Sequence, residues 1–197
     1  MNGLGCGEWK HHPGNQDRAQ HCVLSNLLAG RNGDSEWWGK RREWVHQNLD
    51  ANTGKLIAKL EGHTFTTAYC LAWTADGKTL ISGSEDNSIR TWNTTTWQHI
   101  NVLTGHTDFV YDIALSPNGR ILASASWDDT AQLWNLENGQ PIGTPLQHPL
   151  VAECVSFSMD GKLLATGCAD SNAYSWDIVP IVRQAGLDEL LLSPNVS

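Results

Sequence analysis

The 197-residue chain is 40% hydrophobic and carries a formal net charge of −8 at pH 7, a composition that can build a globular core. An acidic balance of this kind excludes a general nucleic-acid or anionic-membrane surface, which would need a positive field to concentrate its partner. Five cysteines, Cys6, Cys22, Cys70, Cys154 and Cys168, form no CxxC pair, so neither a disulfide framework nor a zinc knuckle is expected, and a reducing compartment, cytoplasmic or nuclear, fits best.

Residues 1–48 hold isolated tryptophans (Trp9, Trp37, Trp38, Trp44) among Gly, Asn, His and Arg without helical or strand periodicity, and are expected to be an irregular or disordered leader. The spacing of Cys6, His11, His12, His21 and Cys22 matches no standard zinc pair, so no metal site is expected there. The same segment lacks the apolar stretch of a signal peptide, and no run in the chain is long and apolar enough for a bilayer span.

From residue 49 the chain becomes punctuated and acidic. Residues 49–61 read as the last one or two strands of a decayed structural unit, with Leu49 where a tryptophan and Glu43 where an aspartate would be expected. The next unit, 62–104, gives candidate strands Thr67–Trp73, Thr79–Ser84, Ser88–Asn93 and Trp97–Leu103. The unit at 105–146 gives Phe109–Leu115, Ile121–Ser126, Thr130–Asn135 and Pro141–Leu146. The unit at 147–178 gives Val151–Phe157, Leu163–Cys168 and Asn172–Asp177, and then stops without a fourth strand. Gly, Asn and Asp at the turns, with period-2 alternation between them, are the signature of short antiparallel strands. The tail, 179–197, offers a short helix over Pro180–Leu192 that should pack over the edge of the β array. Its Leu187–Leu191 stretch also fits a five-residue LxxLL docking pattern.

The strongest signal is the repeat itself. Trp92, Trp134 and Trp176 are spaced 42 residues apart, each with an aspartate six positions before it (Asp86, Asp128, Asp170) and a hydroxyl ten before it (Ser82, Ser124, Thr166). A histidine opens each unit at His63, His106 and His148. With Gly62-His63, Gly105-His106, Trp92-Asn93, Trp134-Asn135 and Trp176-Asp177, these residues resemble the WD-repeat β-propeller family, of which the G-protein β subunit is the familiar member. The departures are Gln147 in place of a glycine and a literal Trp-Asp in the third unit alone.

The resemblance implies an all-β, partial β-propeller of four-stranded antiparallel blades. In each blade the tryptophan indole would donate to the hydroxyl residue, the hydroxyl to the histidine, and the histidine to the aspartate. It implies a non-catalytic protein–protein interaction scaffold with no cofactor, no catalytic residues and no nucleic-acid or membrane partner. The rim loops carrying Glu85, Phe109 and Trp127 are the expected contact surface, because exposed aromatics anchor interfaces. In the family the ring closes when one terminus completes the blade begun at the other, which would pair Lys55–Leu60 with the strands ending at Asp177. Three blades are too few for a ring, so an open arc is expected, with a homo-oligomer of two arcs as one way to complete it. Two other readings are a truncated piece of a propeller without autonomous function, and a hydrolase using one of the Ser/His/Asp sets. A triad needs one exposed nucleophile and an oxyanion hole, and gains nothing from repetition against tryptophans.

Overall fold

The computed structural model describes residues 45–64 and 67–192. They form thirteen strands: β1 Val45–Leu49, β2 Leu56–Glu61, β3 Ala68–Trp73, β4 Thr79–Ser84, β5 Ser88–Asn93, β6 His99–Thr104, β7 Val110–Leu115, β8 Ile121–Ser126, β9 Thr130–Asn135, β10 Pro141–Gln147, β11 Ala152–Phe157, β12 Leu163–Cys168 and β13 Ala173–Asp177. A short helix, α1 (Val179–Gln184), and a 3-10 turn over Asp188–Leu191 follow. The strands fall into four antiparallel sheets, β1-β2, β3-β4-β5-β6, β7-β8-β9-β10 and β11-β12-β13, which is the architecture of a partial propeller. The leader to residue 44 lies outside the described residues, as does Glu43.

Pairing begins at Val45, four residues upstream of the expected boundary at 48/49. Val45–Leu49 has little strand signature of its own, and its pairing with β2 supplies the ladder that local sequence does not demand. Leu49 faces Leu56 in the register where Trp92 faces His99, so Leu49 does stand in the tryptophan column. The segment read as a strand from Trp97 begins instead at His99. Trp97 sits at φ +58° in the turn, where the neighbouring units place Gly54 and Gly139 at φ +65° and +72°. Left-handed backbone is natural for glycine and rare for a bulky residue, so nothing local announced it.

Burial follows how many neighbours a blade has. In the middle blade every residue of β8 and β9 is buried, because sheets stand against both of its faces. In the third blade β13 alternates between exposed and half-buried residues, the pattern of a sheet covered on one side. One core joins the first and middle blades through Ile81, Ile89, Leu103, Val110, Ile113, Leu122 and Trp134. A second joins the middle and third blades through Ile121, Leu133, Ile142, Val155, Phe157 and Leu164. Asp112 staples the second junction: its carboxylate accepts from the Val155 N–H of the next blade at 3.0 Å and from the Ile113 N–H at 2.9 Å. Burial pushes its carboxyl up against the pull of those two bonds.

The tail folds back as expected of an edge cover. Ile178, Val182 and Leu190 are fully buried in the second core, and Asn118 donates to the Leu190 and Leu192 carbonyls at 2.7 and 3.1 Å. Gly186, at φ +71°, separates the helix from the 3-10 turn. With Leu190 buried and Leu187 and Leu191 packed beside it, the LxxLL pattern is used internally. The strand β2 pairs with β1, and β13 with β12; no strand pairs with the outer edge of β13 among the described residues.

Candidate functional site

In the first two blades the polar chain closes link by link. The Trp92 indole donates to the Ser82 hydroxyl at 2.9 Å, Ser82 lies 2.8 Å from Nε2 of His63, and Nδ1 of His63 lies 2.9 Å from Asp86. The middle blade repeats this with Trp134 to Ser124 at 2.8 Å, Ser124 to His106 at 2.7 Å and His106 to Asp128 at 2.8 Å. With Nδ1 facing a carboxylate, which can only accept, the ring donates there and receives the serine proton at Nε2.

The third blade keeps two of the three links. Trp176 donates to Thr166 at 3.0 Å and Thr166 lies 2.7 Å from His148, but Nδ1 of His148 donates to the Leu146 carbonyl at 3.0 Å. The expected His148–Asp170 bond is absent, and Asp170 instead accepts from the Tyr174 hydroxyl at 2.5 Å and from Asn172. The cause is visible in the residues. Asp86 and Asp128 each also accept the backbone N–H of the residue after the histidine, Thr64 or Thr107, at 2.9 Å. In the third blade that residue is Pro149, which has no N–H. Tyr174, at the position of Arg90 and Gln132 in the other blades, takes the released carboxylate.

Burial opposes the charge on Asp86 and Asp128, yet the hydrogen bonds from His63 and Ser88, or from His106 and Thr130, outweigh it and hold both carboxyls well below the usual carboxylate range. Their unfolded-state counterparts titrate at about 3.9. The stabilisation is therefore complete above that pH and is lost as the pH falls toward the lower folded values. Asp112, pushed up by burial, works in the opposite sense. Urea midpoints measured from neutral pH down to pH 3 should fall for the parent chain and fall less steeply for Asp86→Asn/Asp128→Asn; equal slopes would remove the carboxylates from the account.

None of these sets presents the exposed nucleophile that a triad needs. Ser82, Ser124 and Thr166 are buried, and each hydroxyl already accepts an indole proton. In the first and middle blades the network holds the loop before the inner strand to the turn between the second and third strands. Asp128 is bound to His106, so its neighbour Trp127 is held beside Phe109, and the Trp127 N–H donates to the Phe109 carbonyl at 3.0 Å. The same backbone bond joins Glu85 to Thr67 and Ala169 to Val151.

Trp127 is 46% exposed, and Phe109 beside it is half-buried. Two residues not foreseen complete the surface, Tyr69 and Tyr111, at 36% and 40% exposure. The four rings form a closed set of near-parallel neighbours: Tyr69–Tyr111 5.4 Å between centroids at 25°, Tyr111–Trp127 6.2 Å at 19°, Phe109–Trp127 5.6 Å at 32°, and Tyr69–Phe109 5.9 Å at 29°. Each tyrosine is the residue skipped by the strand pairing, between Ala68 and Cys70 and between Val110 and Asp112. Such a bulge re-aims a side chain and interrupts the period-2 pattern that would otherwise locate it. Reading the repeat column by column would have found them, since Tyr69, Tyr111 and Glu153 stand 42 residues apart. Burial, then the charge of Glu85, pushes the Tyr69 phenol up, which places Glu85 within electrostatic reach of the cluster. No group of residues able to hold a metal ion occurs among the described residues, and no helix there is long and apolar enough to cross a membrane.

Comparison with known proteins agrees with this geometry. A stretch of 70 residues is 37% identical to a probable cytosolic iron-sulfur protein assembly protein 1 of Kluyveromyces lactis, covering 34% of this chain and 20% of that protein. A stretch of 41 residues is 46% identical to the protein ROOT INITIATION DEFECTIVE 3 of Arabidopsis thaliana, covering 21% of this chain and 9% of that one. The chain thus spans a fifth or less of the length of these relatives. The family described as WD domain, G-beta repeat matches three times, at residues 54–93, 97–135 and 139–177. With those matches covering more than half of its length, and the Trp–Ser–His–Asp chain closed in two blades, the chain belongs to the WD domain, G-beta repeat family.

Proposed function

We propose that the protein is a non-catalytic interaction scaffold whose contact surface is the aromatic rim formed by Tyr69, Phe109, Tyr111 and Trp127, with Glu85 at its border. The observation that carries this reading is the clustering of four rings, Tyr69 and Tyr111 at strand bulges and Phe109 and Trp127 on neighbouring loops, three of them exposed and Phe109 half-buried. A large exposed aromatic surface costs free energy in water unless a partner covers it, and aromatic residues dominate the energetics of protein interfaces. We place it in a cytosolic or nuclear setting, which fits cysteines that form no disulfide framework, and the relative from Kluyveromyces lactis carries the word cytosolic in its name.

Selection of binders from a random peptide display library on the full chain, with Trp127→Ala as counter-target, tests the rim. Binders that lose most of their affinity for Trp127→Ala are the expected result. Binders indifferent to Trp127→Ala would remove the rim from its role. The outer edge of β13, which no strand pairs among the described residues, favours a second contact, because exposed strand edges recruit further strands. Head-to-tail association of two copies, giving about six blades, is the form we propose for it.

A further inference from the structure

We infer that the aromatic rim takes an arginine-bearing segment of another protein, an inference that rests on the rim being the contact surface. Two independent features lead to it. The first is charge. The loops at this end of the array, residues 62–64, 67–69, 84–88, 104–111, 126–130, 147–153 and 168–172, contain no lysine or arginine. They carry Glu85, Asp108, Asp129, Glu153 and Asp170 besides the two aspartates bound to histidines. The lysines and arginines of the turns sit at the other end of the strands, at Lys55, Lys78, Arg120 and Lys162. An array polarised in this way draws a cationic segment to the aromatic end.

The second feature is the disposition of the rings. Their planes lie within 19–32° of one another for every neighbouring pair. A compact ammonium ion is best held by ring faces set around it at steep angles, whereas a flat guanidinium can lie parallel to a single plane and still direct its N–H groups sideways to carboxylates. Near-parallel rings with Asp108 and Asp129 in adjoining loop positions, and with Glu153 replacing the tyrosine in the third blade's bulge, fit the guanidinium. Bidentate pairing with a carboxylate adds direction to the contact.

Fluorescence anisotropy on the full chain tests this with three labelled peptides of identical length and spacing, bearing arginine, lysine or glutamate at the same positions. The arginine peptide should bind several-fold more tightly than the lysine peptide, weaken as salt is raised, and the glutamate peptide should not bind. Trp127→Ala should weaken the arginine peptide roughly 2- to 30-fold, the range of a cation–π contact, while Trp127→Phe should retain most of the affinity. Both substitutions fall on an exposed side chain, and an unchanged circular dichroism spectrum establishes the fold of each. Equal binding of arginine and lysine peptides unaffected by Trp127→Ala would reduce the effect to net charge and overturn the inference. So would failure of the arginine peptide to bind while display selection still yields Trp127-dependent peptides, an outcome that leaves the rim itself standing. If selection also yields none, the rim reading falls with it.

Discussion

Trp134→Ala is expected to destabilise the protein by about 3–5 kcal/mol, the range for removing a buried large aromatic side chain. Trp134 is 1% exposed and packs among Ile81, Ile89 and Leu103 of the first blade and Ile113 and Leu122 of its own. The loss therefore opens a cavity at a junction between blades. Its ring also approaches Gly105 so closely that a Cβ there would lie 3.0 Å from it, so the surrounding backbone is already fitted to the indole. Truncation further removes the indole donor from the Ser124–His106–Asp128 chain. The urea midpoint should fall with little change in slope. Trp176→Ala should cost less, since Trp176 is only half-buried and its chain lacks the aspartate. An unchanged midpoint for Trp134→Ala would mean that the buried chain is not what holds the middle blade.

Truncation after Asp177 is the second large effect. It removes Ile178, Val182 and Leu190, all fully buried, and each such side chain contributes about 1.5–3 kcal/mol of transfer free energy before the cost of ordering the tail is subtracted. It also leaves Ile142 and Leu164 of the same core without their cover. We expect a net loss on the order of 3 kcal/mol and new binding of a hydrophobic dye at the junction of the second and third blades. Leu192→Ser, at a residue 63% exposed, should leave both measurements at parent values. Parent-like stability of the truncated chain would show that the tail rests on the array without supporting it.

The repeat was legible because each blade solves the same problem. A buried indole N–H, a buried hydroxyl and a buried imidazole need partners, so their spacing is rigidly kept, and eight of the twelve assigned positions form the two complete chains. A further three, His148, Thr166 and Trp176, form the partial one. Asp170 departs because two residues outside the motif, Pro149 and Tyr174, decide whether its carboxylate has a donor to bind. Pro149 could have been read as a missing N–H from the sequence alone. Trp97 and β1 were not legible, since the first adopts backbone that its side chain disfavours and the second is a strand chiefly because β2 lies beside it. At the rim, Phe109 and Trp127 were found by type and position, whereas Tyr69 and Tyr111 were hidden by the bulges that expose them.

If the buried Trp–Ser–His–Asp chains hold the array and the aromatic rim makes its contact, hydrogen exchange of the full chain, with and without a peptide selected to bind it, should show added protection confined to residues 67–69, 108–111 and 126–129, with the slow amides of β8 and β9 unchanged. Added protection at the opposite turns, 74–78, 117–120 and 158–162, or along β13 alone, would contradict it.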